Sequence, residues 1–402
     1  MKKGWQTKTL GDVAEISAGN PAPQSESLFN DGRYPFFRTA DAGRVRFGDI
    51  YKSADNLNEE GIRGLRRYPI GTILFPKSGA STFLNHRVML GVEGCVSSHL
   101  ATILADETQI KPRFLLYFLS TVAAQDLIQD HAYPSLNLPT IAGIRIPAPP
   151  LSEQRRIIGI LDRAFEGIGT AKANDEKNLQ NARALFESHL QSVFTQRGKG
   201  WVEKPLSELC DIKHGFAFKS EFFTDSGDYV LLTPGNFYES GGYRDRGEKQ
   251  KYYSGEIPDG YVLSEGDMLV AMTEQAAGLL GSPILTPESG KFLHNQRLGL
   301  VTKKPGAPWT NEFFFWVFNS KAVRKAIHDS ASGVKVRHTS PTKIGEVVVA
   351  FPTSLAEQKR IVSTLEALTS ETQRLATIYE RKLTALEELK KSLLHQAFSG
   401  RL

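Results

Sequence analysis

Short apolar runs separated by turn-forming residues make up residues 1–150 and 200–352. The runs 72–75 and 88–90 lie in a segment punctuated by Gly, Pro, Asn and Asp, which is typical of β-strands. The run 114–119 is denser, and its continuation through Ala123, Ala124 and Leu127 favours a buried helix. Both globular segments are therefore predicted to be α+β.

Segments of a different kind follow each globular part, at 151–199 and 353–402, and neither contains proline. Ser152 and Ser354 open them as in a capping box, which predicts that helices begin there. Apolar residues then recur at helical heptad spacing. The predicted pairing positions are Ile157, Leu161, Ile168 and Phe186 in the first segment, and Ile361, Leu365, Leu368, Leu375, Leu386 and Leu393 in the second. We expect the two helices to pack as an antiparallel pair, with two independent helical tails as the alternative.

The chain contains an internal duplication. Gly4-Trp5 and the segment 10–19 recur as Gly200-Trp201 and 206–215, an offset of 196 residues. Leu-Ser-Glu-Gln-Arg-Arg-Ile at 151–157 recurs as Leu-Ala-Glu-Gln-Lys-Arg-Ile at 355–361. The predicted fold class is therefore α+β, with two duplicated α/β units separated by two long antiparallel coiled-coil helices and related by a pseudo-twofold axis.

Composition narrows the class of protein. Of 402 residues, 40% are apolar and 23% are charged, as in ordinary globular proteins. No apolar run reaches the roughly 18 residues of a membrane span, so neither a membrane protein nor a secretory leader is expected. Cys95 and Cys210 are too few for a disulfide framework or a zinc cluster. A reduced, cytoplasmic setting is predicted.

The net charge of +5 is small and spread along the chain. The segments 1–150, 151–199, 200–352 and 353–402 carry +2, +2, −1 and +2. Bulk charge alone would not hold nucleic acid, so a local patch or a partner subunit would have to supply the remaining contacts.

Motifs that carry chemistry are missing from the sequence. It has neither a phosphate-binding loop with its lysine nor a His or Cys pair at metal-ligand spacing. The one Pro-Pro pair, at 149–150, lies in Ala-Pro-Pro-Leu and cannot serve as the Asn-Pro-Pro-Tyr motif of an amino-methyltransferase. A catalytic role is not expected.

Polar side chains cluster on loops after equivalent predicted strands, and their contents differ between the two halves. They are of the kinds that read base edges, since Arg pairs with guanine and Asn or Gln pairs with adenine. Ordinary solvated loops are the alternative for any single residue. The candidates for DNA contact are Arg38, Lys77, Ser78, Ser81, Asn85 and Arg87 in the first half, and Thr273, Gln275, Asn295, Gln296, Arg297, Lys335 and Arg337 in the second.

Over its whole length the sequence resembles the specificity subunit of type I restriction–modification systems. The resemblance rests on the Pro-Leu-Ser-Glu-Gln-Arg-Arg-Ile segment at 150–157, its repeat at 355–361, the Gly-Trp openings and the closing segment 393–401. It implies that residues 1–150 and 200–352 are target-recognition domains, each reading half of a split double-stranded DNA sequence. It also implies that helices 151–199 and 353–402 serve as spacer and docking site.

The same resemblance implies the partners and cofactors. Two modification subunits would carry S-adenosylmethionine and methylate adenine, and restriction subunits would supply an ATP- and Mg-dependent nuclease. This chain would itself bind no cofactor and catalyse nothing. The alternatives are a recognition subunit of a related, type IIB-like system and a helical scaffold protein with no role on DNA.

Overall fold

A computed structural model describes residues 4–128, 134–275 and 278–402. Its contacts divide the chain into two compact units. Unit 1 comprises Met1–Glu176 with Arg381–Leu402, and unit 2 comprises Lys177–Glu380. The two longest helices, α5 (Leu151–Thr195) and α10 (Leu355–Ser399), contribute to both units. They lie within the predicted helical segments, and the predicted class of duplicated α+β units with two long helices is confirmed.

The described residues of unit 1 form three sheets. Its strands are β1 (Gln6–Thr9), β2 (Ala14–Ala18), β3 (Tyr34–Phe37), β4 (Phe47–Ile50), β5 (Asp55–Leu57), β6 (Ile73–Pro76), β7 (Arg87–Leu90), β8 (Cys95–Val96), β9 (Leu100–Ala105) and β10 (Arg145–Ala148). Its shorter helices are α1 (Leu10–Val13), α2 (Thr39–Val45), α3 (Pro112–Leu119) and α4 (Leu138–Ala142), with 3-10 turns at Glu26–Phe29, Ala80–Leu84 and Ala124–Leu127. The sheet orders are β2-β9-β6-β7-β4, β5-β3-β8 and β1-β10.

Unit 2 repeats this plan with a few additions. Its strands are β11 (Trp201–Pro205), β12 (Cys210–His214), β13 (Phe223–Thr224), β14 (Val230–Leu231), β15 (Tyr252–Tyr253), β16 (Met268–Ala271), β17 (Thr273–Glu274), β18 (Pro283–Leu285), β19 (Phe292–Leu293), β20 (Leu298–Lys303), β21 (Arg337–His338) and β22 (Val348–Pro352). Its helices are α6 (Leu206–Leu209), α7 (Asn311–Asn319), α8 (Lys321–Ser330) and α9 (Pro341–Gly345), with 3-10 turns at Ser220–Phe222, Pro234–Asn236 and Gly247–Lys249. The order β12-β20-β16-β18 matches β2-β9-β6-β7, while unit 1 adds β4 at the edge.

The apolar run at 114–119 forms the buried helix α3, but that helix is shorter than predicted. It ends at Leu119, and Ala124–Leu127 forms a separate 3-10 turn. The hydroxyl of Ser120 donates to the Tyr117 carbonyl at 2.6 Å, and the hydroxyl of Thr121 donates to the Phe118 carbonyl at 2.7 Å. These side chains occupy the last carbonyls of α3 and compete with continuation of the helix.

Each unit buries one short helix against its own portions of the long helices. In unit 1, the rings of Phe114 and Phe118 on α3 meet Phe398 of α10 at centroid distances of 5.2 and 5.4 Å. In unit 2, Trp316 of α7 meets Phe186 of α5 at 5.7 Å. Aromatic pairs in this edge-to-face geometry add to the stabilisation from burial alone.

The long helices run antiparallel where they meet. In unit 1, Arg156 of α5 donates to the Leu402 carbonyl at 2.6 Å, and Lys172 pairs with Glu387 at 2.6 Å, so the partner number falls as the α5 number rises. The predicted positions near the helix starts are the most deeply buried, with Ile157, Leu161 and Leu365 at 0% and Ile361 at 6% exposure. The remaining predicted positions are half-buried: Ile168, Phe186, Leu368, Leu375, Leu386 and Leu393.

The capping prediction is right for one helix and wrong for the other. The Ser354 hydroxyl accepts the Glu357 amide at 3.4 Å, and α10 begins at Leu355. Helix α5 begins at Leu151, so Ser152 lies inside its first turn, and the Glu153 amide donates to the Pro150 carbonyl at 2.9 Å. Pro149-Pro150 supplies that carbonyl without needing a serine cap.

A buried glutamine explains why Glu-Gln recurs at both helix starts. Gln154 is fully buried; its amide donates to the carbonyls of Gln109 and Pro149 at 2.9 Å, and its oxygen accepts the Lys111 amide at 2.8 Å. Gln358 makes the equivalent bonds: its side-chain amide donates to the carbonyls of Pro308 and Pro352, and its oxygen accepts the Thr310 amide. Each glutamine thereby joins a long helix to the residue that precedes α3 or α7.

Replacing Gln154 with leucine is expected to lower the free energy of unfolding by about 2–4 kcal/mol, because three buried backbone groups lose their partners. Arg155→Ala on the exposed side of the same turn is the matched control, expected within about 0.5 kcal/mol of wild type. Urea unfolding followed by circular dichroism measures both. Equal stability of the two variants would contradict the role assigned to the glutamine.

Candidate DNA interface

Polar side chains meet at one edge of unit 1, where β6 ends. The Lys77 amide donates to the His99 carbonyl at 3.0 Å, and the Lys77 carbonyl accepts the Leu136 amide at 2.8 Å. The Ser78 hydroxyl lies 2.8 Å from Nδ1 of His99, and Ser78 bridges to Ser135. We call Lys77, Ser78, Ser81, His99 and Ser135 the first polar edge.

Unit 2 builds the same edge from different side chains. The Met272 amide donates to the Arg297 carbonyl at 3.0 Å, and the Met272 carbonyl accepts the Thr339 amide at 2.9 Å. Thr273 pairs with His338 in the antiparallel ribbon β17–β21. We call Thr273, Gln275, Gln296, Arg297 and His338 the second polar edge.

The hydrogen bonds define which residues of the two loops correspond. They place Lys77 opposite Met272 and Ser78 opposite Thr273. By the same bonds Arg297 corresponds to His99. The two edges therefore share a backbone frame and differ in the side chains they present.

A repeated glycine brings the loops of each edge together. A β-carbon on Gly19 would lie 2.3 Å from the Ser97 carbonyl oxygen, and one on Gly215 would lie 2.1 Å from the Asn295 carbonyl oxygen. Both distances are below what any side chain tolerates, so only glycine permits this approach. Gly19 and Gly215, the last residues of the repeated segments 10–19 and 206–215, therefore allow close packing against the loops that carry His99 and Arg297.

Two of the predicted DNA contacts, Arg87 and Asn295, have buried side chains in this structure and are not available there to a partner. Arg87 is fully buried, with its guanidinium 3.5 Å from the centre of the Phe75 ring and a hydrogen bond of 2.8 Å to the His86 carbonyl. Burial lowers the pKa of Arg87 to about 9. Asn295 is 9% exposed, and its side-chain oxygen accepts the Arg297 amide at 3.2 Å.

Three other candidates are held by neighbours in their own unit. Arg38 donates to the Asp55 carboxylate at 2.5 Å. Asn85 accepts the Ala124 amide at 2.7 Å and donates to the Gln125 side chain at 2.8 Å. The Arg337 guanidinium donates to the His328 carbonyl at 2.7 Å. A contact of these groups with DNA would require the present bonds to be shared or broken.

The remaining candidates are accessible, and their contact with DNA stays a prediction. Lys77, Ser78, Ser81 and Thr273 are half-buried, while Gln275, Gln296, Arg297 and Lys335 are exposed. Sequence reasoning missed His99, Ser135 and His338. Extending the repeat through the strands that begin at Leu100 and Leu298 would have placed His99 opposite Arg297.

Buried His294 lies directly before the loop of the second polar edge. Its Nε2 lies 2.9 Å from the Leu298 carbonyl oxygen, to which it donates. Burial lowers the pKa of His294 to about 4. The folded protein therefore keeps this ring neutral at pH values where an exposed histidine is charged.

We expect acid to destabilise unit 2 through His294. The unfolded chain takes up this proton near pH 6.5 and the folded chain only near pH 4, so stability is lost as pH falls between these values, by up to about 3 kcal/mol. Urea unfolding at several pH values measures the slope. His294→Gln should flatten it, whereas His395→Gln at an exposed position of α10 should leave it intact. Parallel curves for wild type and His294→Gln would refute this assignment.

Metal-binding groups, membrane-spanning helices and reactive thiols were the remaining possibilities for the described ranges 4–128, 134–275 and 278–402. No group of three or more His, Cys, Asp or Glu side chains there is arranged to hold a metal ion. None of the helices there has both the length and the apolar character to cross a membrane. Cys95 and Cys210 are buried thiols, and burial raises the pKa of Cys210 to about 12, which leaves it unreactive.

A family model for the type I restriction modification DNA specificity domain matches residues 2–179 and again residues 198–381. The chain belongs to the family of type I restriction–modification specificity subunits. The two matches coincide with the two copies of the internal repeat, so each copy is one specificity domain. Specificity subunits of this family are generally non-catalytic.

Individual relatives agree with this membership. The chain is 28% identical to the EcoBI specificity subunit of Escherichia coli over 223 residues, which cover 55% of this chain and 43% of the relative. It is 22% identical to the MjaVIII specificity subunit of Methanocaldococcus jannaschii over 426 residues, covering 100% of this chain and 94% of the relative. The first match spans under half of that relative, and the second spans nearly all of it.

Solved structures show the same fold at low identity. A chain from a study of complex assembly and conformational transition in the type I restriction–modification system has a TM-score of 0.78 at 18% identity, covering 100% of this chain and 99% of its own. The HsdS subunit from Thermoanaerobacter tengcongensis has a TM-score of 0.61 at 18% identity, covering 100% and 98%.

Proposed function

We propose that this specificity subunit recognises a bipartite double-stranded DNA sequence, with each polar edge reading one half. The proposal rests on one observation. The same hydrogen-bonded backbone frame presents Ser78 and His99 in unit 1 and presents Thr273 and Arg297 in unit 2. Two copies of a scaffold that present different donors and acceptors suit two different base sequences. The small net charge agrees with partners that supply many of the phosphate contacts.

We further propose that two modification subunits bind this chain, carrying S-adenosylmethionine and methylating adenine. A repeated groove supports two copies of one partner. One groove of about 580 Å³ in unit 2 is lined by Leu190 of α5 and Asn319 of α7. Another of about 580 Å³ in unit 1 is lined by Leu394 of α10 and Ser120 beside α3. These pairs occupy equivalent positions in the internal repeat.

The proposal extends to the restriction reaction and the compartment. Restriction subunits would add an ATP- and Mg-dependent nuclease to the complex, and the assembly would act in the cytoplasm, where host DNA is present. No cofactor is assigned to this chain. Its own contribution is the choice of DNA sequence and the positioning of the catalytic subunits.

Methylation with and without partners tests the division of labour. We expect the purified chain to transfer no methyl group from S-adenosylmethionine to DNA, and the complex with modification subunits to methylate adenine in a split motif. Methyl transfer by this chain alone would contradict the non-catalytic assignment. Absence of sequence-selective DNA binding by the complex would favour a scaffold role instead.

Single substitutions test the second polar edge. Arg297→Ala should weaken binding of the complex by about 1–3 kcal/mol and relax one position of the motif. Lys303→Ala removes the same charge at the other end of β20 and should leave the motif unchanged. If both variants weaken all sequences alike, Arg297 contacts phosphate rather than a base.

A further inference from the structure

A tight hairpin in unit 2, residues 332–338, exposes the side chain of Val334 to solvent. Val334 is 99% exposed, whereas the next most exposed large apolar side chain of the described residues, Ile70, is 66% exposed. Burying a valine normally stabilises a fold. A valine this exposed gains no burial energy within its own chain, and its side chain is available for contact with a partner.

The hairpin is held in one conformation. Ser332 and His338 exchange backbone hydrogen bonds of 3.0 and 2.8 Å. Gly333 has φ +101°, and a β-carbon there would lie 2.1 Å from the Val336 carbonyl oxygen, so the turn requires glycine. The Arg337 guanidinium fastens the base of the hairpin to α8 through the His328 carbonyl at 2.7 Å. The valine is therefore presented by a pre-ordered element, which lowers the entropic cost of binding.

The charges around the hairpin suit nucleic acid. Residues 330–345 contain no acidic residue, and Lys335 beside the valine is exposed. The carboxylate of Glu274 in the facing strand is buried, and one of its oxygens accepts the amides of Gly278, Leu279 and Leu280 at 2.9–3.0 Å. The exposed Val334 with the exposed Lys335 beside it therefore suits an anionic partner that also offers an apolar group.

We propose that the hairpin 332–338 enters the major groove and that Val334 contacts the 5-methyl group of a thymine. This rests on the proposed reading of DNA by the second polar edge, which the hairpin continues through β21. The major groove admits a two-stranded β-ribbon, and thymine is the one base that shows a methyl group there. Val334 thereby selects thymine at one position of the second half-site, and Lys335 contacts the backbone beside it.

The experiment uses the full chain in complex with its modification subunits. Thymines of the second half-site are replaced one at a time by uracil, which lacks only the methyl group. Since an adenine there is the methylation target, at least one paired thymine is always present. Wild type should bind about three- to tenfold more weakly to DNA with uracil at one position. Val334→Ala should lose a similar factor on thymine DNA and become insensitive to uracil at that position.

The matched control is Lys335→Ala, which should weaken binding to all sequences, reduce the salt dependence by about one phosphate contact and keep the uracil response. The inference is overturned if wild type tolerates uracil at every position, or if Val334→Ala keeps the wild-type uracil response. Either result leaves the proposed function standing as long as the complex still selects its split motif. Loss of all sequence selectivity in wild type would instead refute the proposed function.

Discussion

Exchange of residues 1–150 for the equivalent segment of another specificity subunit is expected to replace one half of the methylated motif and leave the other half unchanged. The reason is the local construction of each edge. Ser78 contacts both His99 and Ser135 within the first globular segment. Thr273, Arg297 and His338 lie within the second. Methylome sequencing of a host that carries the hybrid system reads out both halves at once.

The donor segment must keep the contacts that bury α3. Phe114 and Phe118 pack on Phe398, so a donor with aromatic residues at these positions avoids a folding defect. The reciprocal exchange of residues 200–352 is the matched control and should alter the opposite half only. A hybrid that methylates a motif changed in both halves would show that the two edges are not independent readers.

Insertion of one helical turn near Asn178 is expected to lengthen the gap between the half-sites by one to two base pairs. Helix α5 begins in unit 1 and ends in unit 2, and Lys177 and Asn178 are exposed at the division. Four added residues extend a helix by about 5.4–6 Å. One base pair of B-DNA rises about 3.4 Å. The half-sites themselves should stay the same, since neither polar edge is altered.

Four residues inserted at 198–199, after α5 has ended at Thr195, provide the matched control. They lengthen a turn and not a helix, so the gap should remain that of wild type. Methylated motifs from both variants give the comparison directly. A fixed gap in the Asn178 variant with retained activity would mean that helix length does not set the spacing, and docking would be the remaining role of the helices.

Much of the architecture follows from local patterns in the sequence. Hydrophobic periodicity is a property of a few neighbouring residues. It predicts the two long helices, the strands around 72–75 and 88–90, and the buried helix at 114–119. The duplication is visible because Gly-Trp and Glu-Gln recur in order. Family membership follows from the same segments and is confirmed by the matches at 2–179 and 198–381.

Only the tertiary structure decided which polar side chains are available. Arg87 and Arg297 are both arginines beside strands, yet one is fully buried over Phe75 and the other is exposed. Periodicity cannot separate them, because burial depends on the sheet neighbours and on the residues after α3. His99 belongs to the first polar edge because it bonds to Ser78, which is 21 positions away in the sequence. Gln154 bonds to residues 43 and 45 positions away. Such contacts are set by chain packing, and no local pattern records them.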